Sequence, residues 1–272
     1  MPRFTTSDSV SLHYTDEGQG LPVLCLAGLT RDGHDFDDVA PHLRDVRLIR
    51  LDYRGRGQSD WANHETYTIP VEGRDALELL DHLGLDRAAV LGTSRGGLIA
   101  MVLAATAKDR LLGVALNDIG PEIDDAGLEV IKNYLGRTPV WHTHAEAATA
   151  LSAQPAFPGV PPERWRTIAA RLFRETEKGL EIPYDPKLRD AVLGSGAQPA
   201  ADLWPLFDAL EGLPLCAIRG ANSDLLSLPT FDEMQRRRPD MIAAEIPDRG
   251  HIPFLDETGA VVALNRWLDA MR

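Results

Sequence analysis

The sequence is poor in cysteine and contains no long apolar segment. Its two cysteines, Cys25 and Cys216, each lie inside a short apolar run. A cysteine in a buried strand usually behaves as a small hydrophobic residue, so we expect two free thiols in the core rather than a disulfide. No stretch approaches the roughly 18 apolar residues of a membrane-spanning helix, and the opening MPRFTTSDSV lacks an apolar leader segment. These absences predict a cytoplasmic protein.

Positive charge is also in short supply. The 272 residues include 41 aspartates and glutamates against 28 lysines and arginines, which gives a formal net charge of -13. A strongly acidic protein repels polyanions, so neither nucleic acid nor an anionic membrane is an expected partner. The hydrophobic and charged fractions, 44% and 25%, are ordinary for a globular protein. The length fits one large α/β domain, with or without an insertion.

Several cofactor motifs are missing from the sequence. It contains no G-x-G-x-x-G segment, no P-loop and no H-E-x-x-H pair, so dinucleotide, ATP and zinc chemistry are not indicated. His142 and His144 form a close histidine pair, but no third ligand is evident beside them. We therefore expect solvated histidines rather than a metal site, and we expect no cofactor.

What the sequence does contain is a regular alternation of apolar runs and helical spacing. Continuous apolar runs such as Leu21–Leu26, Val46–Leu51 and Ala88–Leu91 predict strands that are covered on both faces. Helical spacing of apolar residues lies between the runs and includes a helix predicted around residues 36–43. Strands that alternate with helices predict a parallel sheet with crossover helices. The same alternation resumes at Leu215 and continues to the last helix.

The alternation is interrupted after Gly120-Pro121, and no convincing strand follows until about residue 200. Proline and glycine separate three amphipathic stretches in this interval, at Asp125–Leu135, at Ala145–Ala153 and after Pro161-Pro162. Such a stretch between two strand-helix halves is typical of an insertion rather than of a separate domain.

The interruption divides the chain into a predicted core and a predicted cap. The core consists of residues 1–120 and 201–272, and the helical cap consists of residues 121–200, inserted in the core. Aromatic side chains in a cap pack against each other as often as they recognise a ligand. Within the cap, the predicted substrate-binding residues are Tyr134, Trp141 and Trp165.

One serine lies where an apolar run changes into helical spacing, in the stretch GTSRG. Ser94 has glycines two positions before and two positions after it, which permit the backbone to reverse within a few residues. A sharp strand-turn-helix of this kind raises a serine hydroxyl above the edge of a sheet, where a nucleophile is needed. The alternative is a tight turn that happens to contain a serine.

A serine hydroxyl becomes a nucleophile when a base takes its proton and a third group orients that base. His251 lies in a Gly-His-x-Pro loop between the last strand and the last helix, at the same sheet edge as Ser94. Asp224 follows the strand that begins at Leu215 and gives the chain order Ser, Asp, His. We predict Ser94, His251 and Asp224 as the catalytic residues. Asp118, which follows the strand before the cap, is the rival for the orienting acid.

The negative charge that develops on a substrate oxygen needs preorganised N–H donors. The backbone N–H of Arg95 is one predicted donor because it begins the helix after Ser94, where the helix dipole also favours negative charge. The N–H of Leu29 is the second, since Gly28 lets the backbone approach the site. The Arg95 side chain could bind a substrate carboxylate or pair with an acid outside the pocket, and we favour the second interpretation.

These segments resemble the α/β-hydrolase superfamily over nearly the whole chain. The resemblance rests on Gly92–Gly96, on the D-x-R-G-x-G-x-S segment within Asp52–Asp60, on Asp224 and on Gly250-His251. It implies an α/β-hydrolase fold, in which a mostly parallel eight-stranded sheet has helices on both faces and an inserted helical cap. Ala27 departs from the family, which often has histidine before the oxyanion glycine. This departure concerns the packing of the loop more than its backbone donor.

The residues and the resemblance together predict a serine hydrolase of the carboxylesterase or lactonase type. Its substrate would be a small, partly hydrophobic ester or lactone, cleaved through an acyl-serine intermediate. Serine rather than aspartate at position 94 argues against haloalkane-dehalogenase and epoxide-hydrolase chemistry. Two alternatives stay open: cleavage of a C–C bond in a vinylogous 1,5-diketone on the same triad, and a ligand receptor with slow turnover. Whether the chain forms a homo-oligomer is also open.

Overall fold

The computed structural model of the protein describes residues 2–194 and 202–272. The strands in these ranges are β1 (Arg3–Thr5), β2 (Ser11–Gly18), β3 (Leu21–Leu26), β4 (Val46–Leu51), β5 (Ala88–Thr93), β6 (Leu111–Asn117), β7 (Arg174–Thr176), β8 (Gly179–Glu181), β9 (Leu215–Gly220) and β10 (Ile242–Ile246). The α-helices are α1 (Ile69–His82), α2 (Arg95–Thr106), α3 (Asp125–Tyr134), α4 (His144–Ser152), α5 (Pro162–Leu172), α6 (Leu188–Gly194), α7 (Trp204–Asp208), α8 (Leu228–Arg237) and α9 (Thr258–Asp269). None of the helices in the described ranges is long and apolar enough to cross a membrane.

Eight strands form one sheet in the order β1-β2-β4-β3-β5-β6-β9-β10. The pairs β1–β2 and β2–β4 are antiparallel, and the other neighbouring pairs are parallel. This confirms the predicted mostly parallel eight-stranded sheet. The central strand β5 is buried along its whole length, as a strand with helices on both faces must be. The carboxyl ends of the parallel strands meet at one edge, and the loops with the candidate residues emerge there.

The prediction of a helix around residues 36–43 is wrong. The structure has two short 3₁₀ helices in this region, Gly33–Phe36 and Ala40–His42. Pro41 has no backbone N–H, so an α-helix through the middle of the segment would lose a hydrogen bond. The apolar residues that indicated a helix, such as Phe36 and Val39, are nonetheless buried. Their spacing therefore reports contact with the sheet rather than an α-helix.

The predicted cap segment lies between β6 and β9 and contains α3, α4, α5 and α6. The first three helices correspond to the three amphipathic stretches, and Thr143 caps α4 by accepting the N–H of Glu146. The segment also contains an antiparallel pair, β7 with β8, which was not predicted because β7 is polar and largely exposed. The predicted boundary between residues 200 and 201 lies outside the described residues, so the division into core and cap stays a prediction.

Cys25 on β3 and Cys216 on β9 are both free and buried. This confirms the two free core thiols expected from the sequence. Burial raises the pKa of each thiol to about 12, so neither is ionised near neutral pH. Both cysteines therefore contribute to packing rather than to chemistry.

Candidate active site

Ser94 occupies the sharp turn between β5 and α2. Its backbone angles, φ 50° and ψ -112°, lie in a region that residues other than glycine rarely adopt. Close backbone contacts explain the two glycines that flank it. A Cβ on Gly96 would lie 1.9 Å from the carbonyl oxygen of Leu26, and a Cβ on Gly92 would lie 2.5 Å from the backbone of Gly96. The structure thus has the predicted strand-turn-helix, which holds the hydroxyl at the carboxyl edge of the sheet.

His251 brings its imidazole to Ser94 from the loop between β10 and α9. The Nε2 atom of His251 lies 3.0 Å from Oγ of Ser94, and its Nδ1 atom lies 2.8 Å from Oδ2 of Asp118. A carboxylate accepts hydrogen bonds and does not donate them, so Nδ1 carries the proton and Nε2 can accept one from the serine. This is the tautomer that a general base for Ser94 needs.

Asp118 is fully buried and follows β6 directly. Its Oδ1 accepts the N–H of Gly220 at 2.7 Å, and its Oδ2 accepts the hydroxyl of Ser223 at 2.6 Å as well as the imidazole of His251. A buried carboxylate is costly unless it is hydrogen-bonded, and three donors compensate for the burial here. The donors also hold the carboxylate in one orientation, and therefore the imidazole that donates to it.

The preference for Asp224 as the orienting acid is corrected by this geometry. Asp224 is exposed and lines the cavity, whereas the carboxylate hydrogen-bonded to His251 is that of Asp118. Because β6 and β9 are neighbours in the sheet, an acid after either strand could reach the histidine, and chain order does not decide between them. The turn after β9 is closed by the Ser223 N–H on the Gly220 carbonyl. This turn places the Ser223 hydroxyl against the buried Asp118 and leaves Asp224 exposed.

Two supporting side chains were not predicted. The Ser223 hydroxyl donates to Asp118, and the side-chain amide of Asn117 donates to the carbonyl of Pro253 at 3.2 Å. The second bond ties the loop that carries His251 to the end of β6. Each residue is adjacent in sequence to one of the two candidate acids, Asn117 as the last residue of β6 and Ser223 in the turn after β9. That position is the only signal by which the sequence could have indicated them.

The predicted oxyanion donors lie on two segments at this sheet edge. Leu29 follows β3 and lines the cavity together with Ser94, and Arg95 is the first residue of α2. In the part of the chain that the structure describes, neither backbone N–H donates to a protein acceptor. The carbonyl of Ala27 accepts the hydroxyl of Tyr53 at 3.1 Å, which supports the loop where the family often has histidine. Free amide donors beside a nucleophile meet the first requirement of an oxyanion hole.

The side chain of Arg95 pairs with a buried acid. Its Nε donates to Oε2 of Glu72 at 2.6 Å, and its Nη2 donates to the carbonyl of Tyr67 at 3.0 Å. Among the described residues, Arg95 is not one of those that line the cavity. The structure therefore supports the favoured interpretation, in which the Arg95 side chain pairs with an acid outside the pocket.

A cavity of about 620 Å³ has Ser94 and His251 in its lining. The sheet edge and the cap segment both contribute to its walls, which include the three predicted aromatic residues Tyr134, Trp141 and Trp165. Trp165 is buried and packs edge-to-face on Phe157, with ring centroids 5.7 Å apart. Tyr134 is 47% exposed. A largely apolar cavity of this size is typical of a small-molecule site.

His142 and His144 lie in the cap segment. The Nδ1 atom of His144 is 3.2 Å from the carboxylate of Glu175, and its Nε2 is 2.8 Å from the carbonyl of Phe173. Both ring nitrogens therefore already have protein partners. Within residues 2–194 and 202–272, no group of three histidine, cysteine, aspartate or glutamate side chains is arranged to hold a metal ion.

Residues 22–176 match the family model described as the alpha/beta hydrolase fold. Over 253 residues, 89% of this chain and 86% of the relative, the sequence is 37% identical to 3-hydroxybutyrate-oligomer hydrolase of Cupriavidus necator. It is 24% identical over 267 residues to 2-(acetamidomethylene)succinate hydrolase of Mesorhizobium japonicum, covering 96% of this chain and 92% of that protein. The crystal structure of an alpha/beta hydrolase from Novosphingobium aromaticivorans superposes with a TM-score of 0.91 at 38% identity, covering 98% of this chain and 97% of that one.

Proposed function

Because the chain belongs to the alpha/beta hydrolase fold family, we propose that it hydrolyses carboxylic esters of small, partly hydrophobic substrates. One observation carries the proposal. The Ser94 hydroxyl lies 3.0 Å from Nε2 of His251, and Nδ1 of the same ring lies 2.8 Å from the buried carboxylate of Asp118. This arrangement can deprotonate an alcohol at neutral pH and stabilise the imidazolium that results.

In the proposed reaction, Ser94 Oγ attacks the ester carbonyl carbon while Nε2 of His251 takes the hydroxyl proton. The carbonyl oxygen becomes an oxyanion that accepts the backbone N–H groups of Leu29 and Arg95. Asp118 orients the ring and stabilises its positive charge. Collapse of the intermediate breaks the bond to the alcohol oxygen, which takes the proton from Nε2. A water molecule, deprotonated by His251, then hydrolyses the acyl-serine and releases the carboxylic acid.

Two observations support an ester as the substrate. The apolar cavity beside Ser94 would surround an acyl or alcohol group and exclude water from it. In addition, the Cupriavidus necator relative is named as a hydrolase of 3-hydroxybutyrate oligomers, and units of a hydroxy acid in an oligomer are joined by ester bonds. A lactone is an internal ester, so it would react through the same steps.

A rate screen tests the proposal. We expect the protein to turn over p-nitrophenyl butyrate at about 1 s⁻¹ or faster. The screen also includes lactones and a dienoate diketone. Cleavage of the diketone is followed as loss of its absorbance. Cleavage of the diketone alone would favour C–C hydrolysis, and the absence of turnover on all three substrate classes would favour a ligand receptor.

Replacement of Trp141 by alanine is expected to shift the acyl-chain preference toward longer chains. Trp141 lines the cavity and is only partly buried, so its removal enlarges the cavity at a modest cost in stability. Removal of a buried tryptophan such as Trp165 would also enlarge the cavity, but it would lower the free energy of unfolding by about 3–5 kcal/mol. We expect kcat/KM for p-nitrophenyl decanoate relative to butyrate to rise about tenfold, mainly through KM.

The matched control for this prediction is Trp61→Ala. Trp61 is 61% exposed and is not among the described residues that line the cavity, so its removal should leave the profile unchanged. Rates of labelling of Ser94 by a fluorophosphonate probe should differ little among the variants. An unchanged profile in Trp141→Ala and Trp165→Ala alike would mean that these residues only pack the cap segment.

A further inference from the structure

Glu72 is a fully buried acid that the proposed reaction does not use. It lies in the first turn of α1, on the same buried side as Ala76, Leu79 and Leu80. An ionised carboxylate in such a place is costly unless it is paired. A charged residue on the apolar stripe of a helix is therefore a signal of a specific polar role.

Two guanidinium groups flank this carboxylate. Nε of Arg95 donates to Oε2 of Glu72 at 2.6 Å, and Nη1 of Arg56 lies 2.8 Å from Oε1. Arg56 is fully buried, and the side chain of Arg95 is only 11% exposed. The carboxylate therefore bridges two largely buried guanidinium groups, through a hydrogen bond to Oε2 and an ion pair at Oε1.

Arg56 contacts one of the two residues with a predicted oxyanion donor, and Arg95 is the other. Nε of Arg56 donates to the carbonyl oxygen of Leu29 at 3.0 Å, and Leu29 supplies the first predicted N–H. Arg95 supplies the second N–H from its own backbone, and its side chain is the one held by Glu72. A continuous chain of polar contacts thus runs from one donor residue to the other through a single carboxylate.

We propose that Glu72 is a positioning residue that holds the two oxyanion donors at a fixed distance from each other. The inference rests on the proposed ester hydrolysis and deepens it. Oxyanion donors stabilise a transition state only when both lie at hydrogen-bond distance from the developing charge. A misplacement of about 1 Å in such a site costs as much as a hundredfold in rate. Glu72 acts through the two arginines, because it is not among the described residues that line the cavity.

The same helix provides a matched control. Asp75 is also buried on α1, and it pairs with Arg54, whose Nε and Nη2 lie 2.7 Å from the two carboxylate oxygens. The side chain of Arg54 donates to Asp75 and Asp8, and within the described chain it makes no hydrogen bond to Leu29 or Arg95. Asp75→Asn therefore breaks a comparable buried ion pair without touching the oxyanion donors.

The experiment compares Glu72→Gln with Asp75→Asn and with the wild type. Steady-state kinetics with p-nitrophenyl butyrate give kcat and KM, and inhibition by a trifluoromethyl ketone reports binding of a hemiketal oxyanion. We expect Glu72→Gln to lose about tenfold to a hundredfold in kcat with little change in KM, and to lose the same factor in ketone affinity. Asp75→Asn should lower Tm by a similar amount and keep both kinetic values near those of the wild type.

Arg56→Lys is the second variant, and it tests the positioning role of the Glu72 contacts if Glu72→Gln does not fold. It keeps a cation beside Glu72 but loses the Nε bond to the carbonyl of Leu29, so the same joint loss in kcat and ketone affinity is expected. Equal kinetics in Glu72→Gln and Asp75→Asn would overturn the inference and leave ester hydrolysis standing. A wild type without turnover would instead overturn the proposed function, and the inference with it.

Discussion

Replacement of Ser94 by alanine is expected to abolish ester hydrolysis and labelling by a fluorophosphonate probe. The hydroxyl of Ser94 is the group that His251 can deprotonate across the 3.0 Å contact, and alanine has no nucleophile to offer. Loss of the nucleophile from a serine triad typically lowers kcat by a factor on the order of 10⁶. Alanine and serine carry the same Cβ, so the strained turn accommodates both equally.

The measurement combines probe labelling, mass spectrometry of the labelled peptide and far-UV circular dichroism. In the wild type the label should appear only on the peptide that contains Ser94. The exposed serine Ser152 on α4 provides the control, since Ser152→Ala should keep both label and activity. Label on another peptide, or an active Ser94→Ala protein with an intact fold, would contradict the mechanism.

Replacement of Asp118 by asparagine is expected to lower kcat by about 10⁴. An asparagine can present its NH₂ group to Nδ1 of His251, which would move the ring proton to Nε2 and leave no acceptor for the Ser94 hydroxyl. In that orientation the amide oxygen keeps the bond from the N–H of Gly220, but the NH₂ group faces the hydroxyl of Ser223, which donates to Oδ2 of Asp118 in the wild type. A fall in Tm should therefore accompany the loss of activity.

Asp224→Asn is the comparison that makes this prediction specific. Asp224 is exposed and lines the cavity, so its neutralisation should change kcat by less than about tenfold and act mainly on KM. Both variants are measured with p-nitrophenyl butyrate at saturating concentration and with thermal unfolding monitored in parallel. A larger loss in Asp224→Asn than in Asp118→Asn would mean that the loop after β9 rearranges during catalysis.

Much of the fold could be predicted because its signals are local. The apolar run that forms β5 and the glycines at positions 92 and 96 indicate a buried strand and a tight turn without knowledge of distant residues. The helix around residues 36–43 failed because Pro41 breaks the hydrogen-bond pattern while the apolar spacing survives. The pair β7–β8 was missed because short polar strands carry almost no periodic signal.

The site was less predictable because its partners are distant in sequence. Asp118 and Asp224 both follow strands that end at the same edge, and only the turn through Ser223 decides which one faces His251. Glu72 lies in the first turn of α1, and its two arginine partners lie on other segments of the chain. Such choices depend on three-dimensional contacts that no local pattern encodes.

The place at which the cap segment enters the chain has a consequence for modularity. Ser94 and Asp118 lie at the ends of the paired strands β5 and β6, and the N–H of Ser94 donates to the carbonyl of Asn117 at 3.0 Å. The proposed nucleophile and the proposed acid thus belong to one unbroken stretch of chain that ends where the predicted cap segment begins. Had Asp224 been the acid, the insertion would separate the two. With Asp118 in that role, we expect that replacement of the predicted cap segment would leave the serine and its carboxylate paired on neighbouring strands.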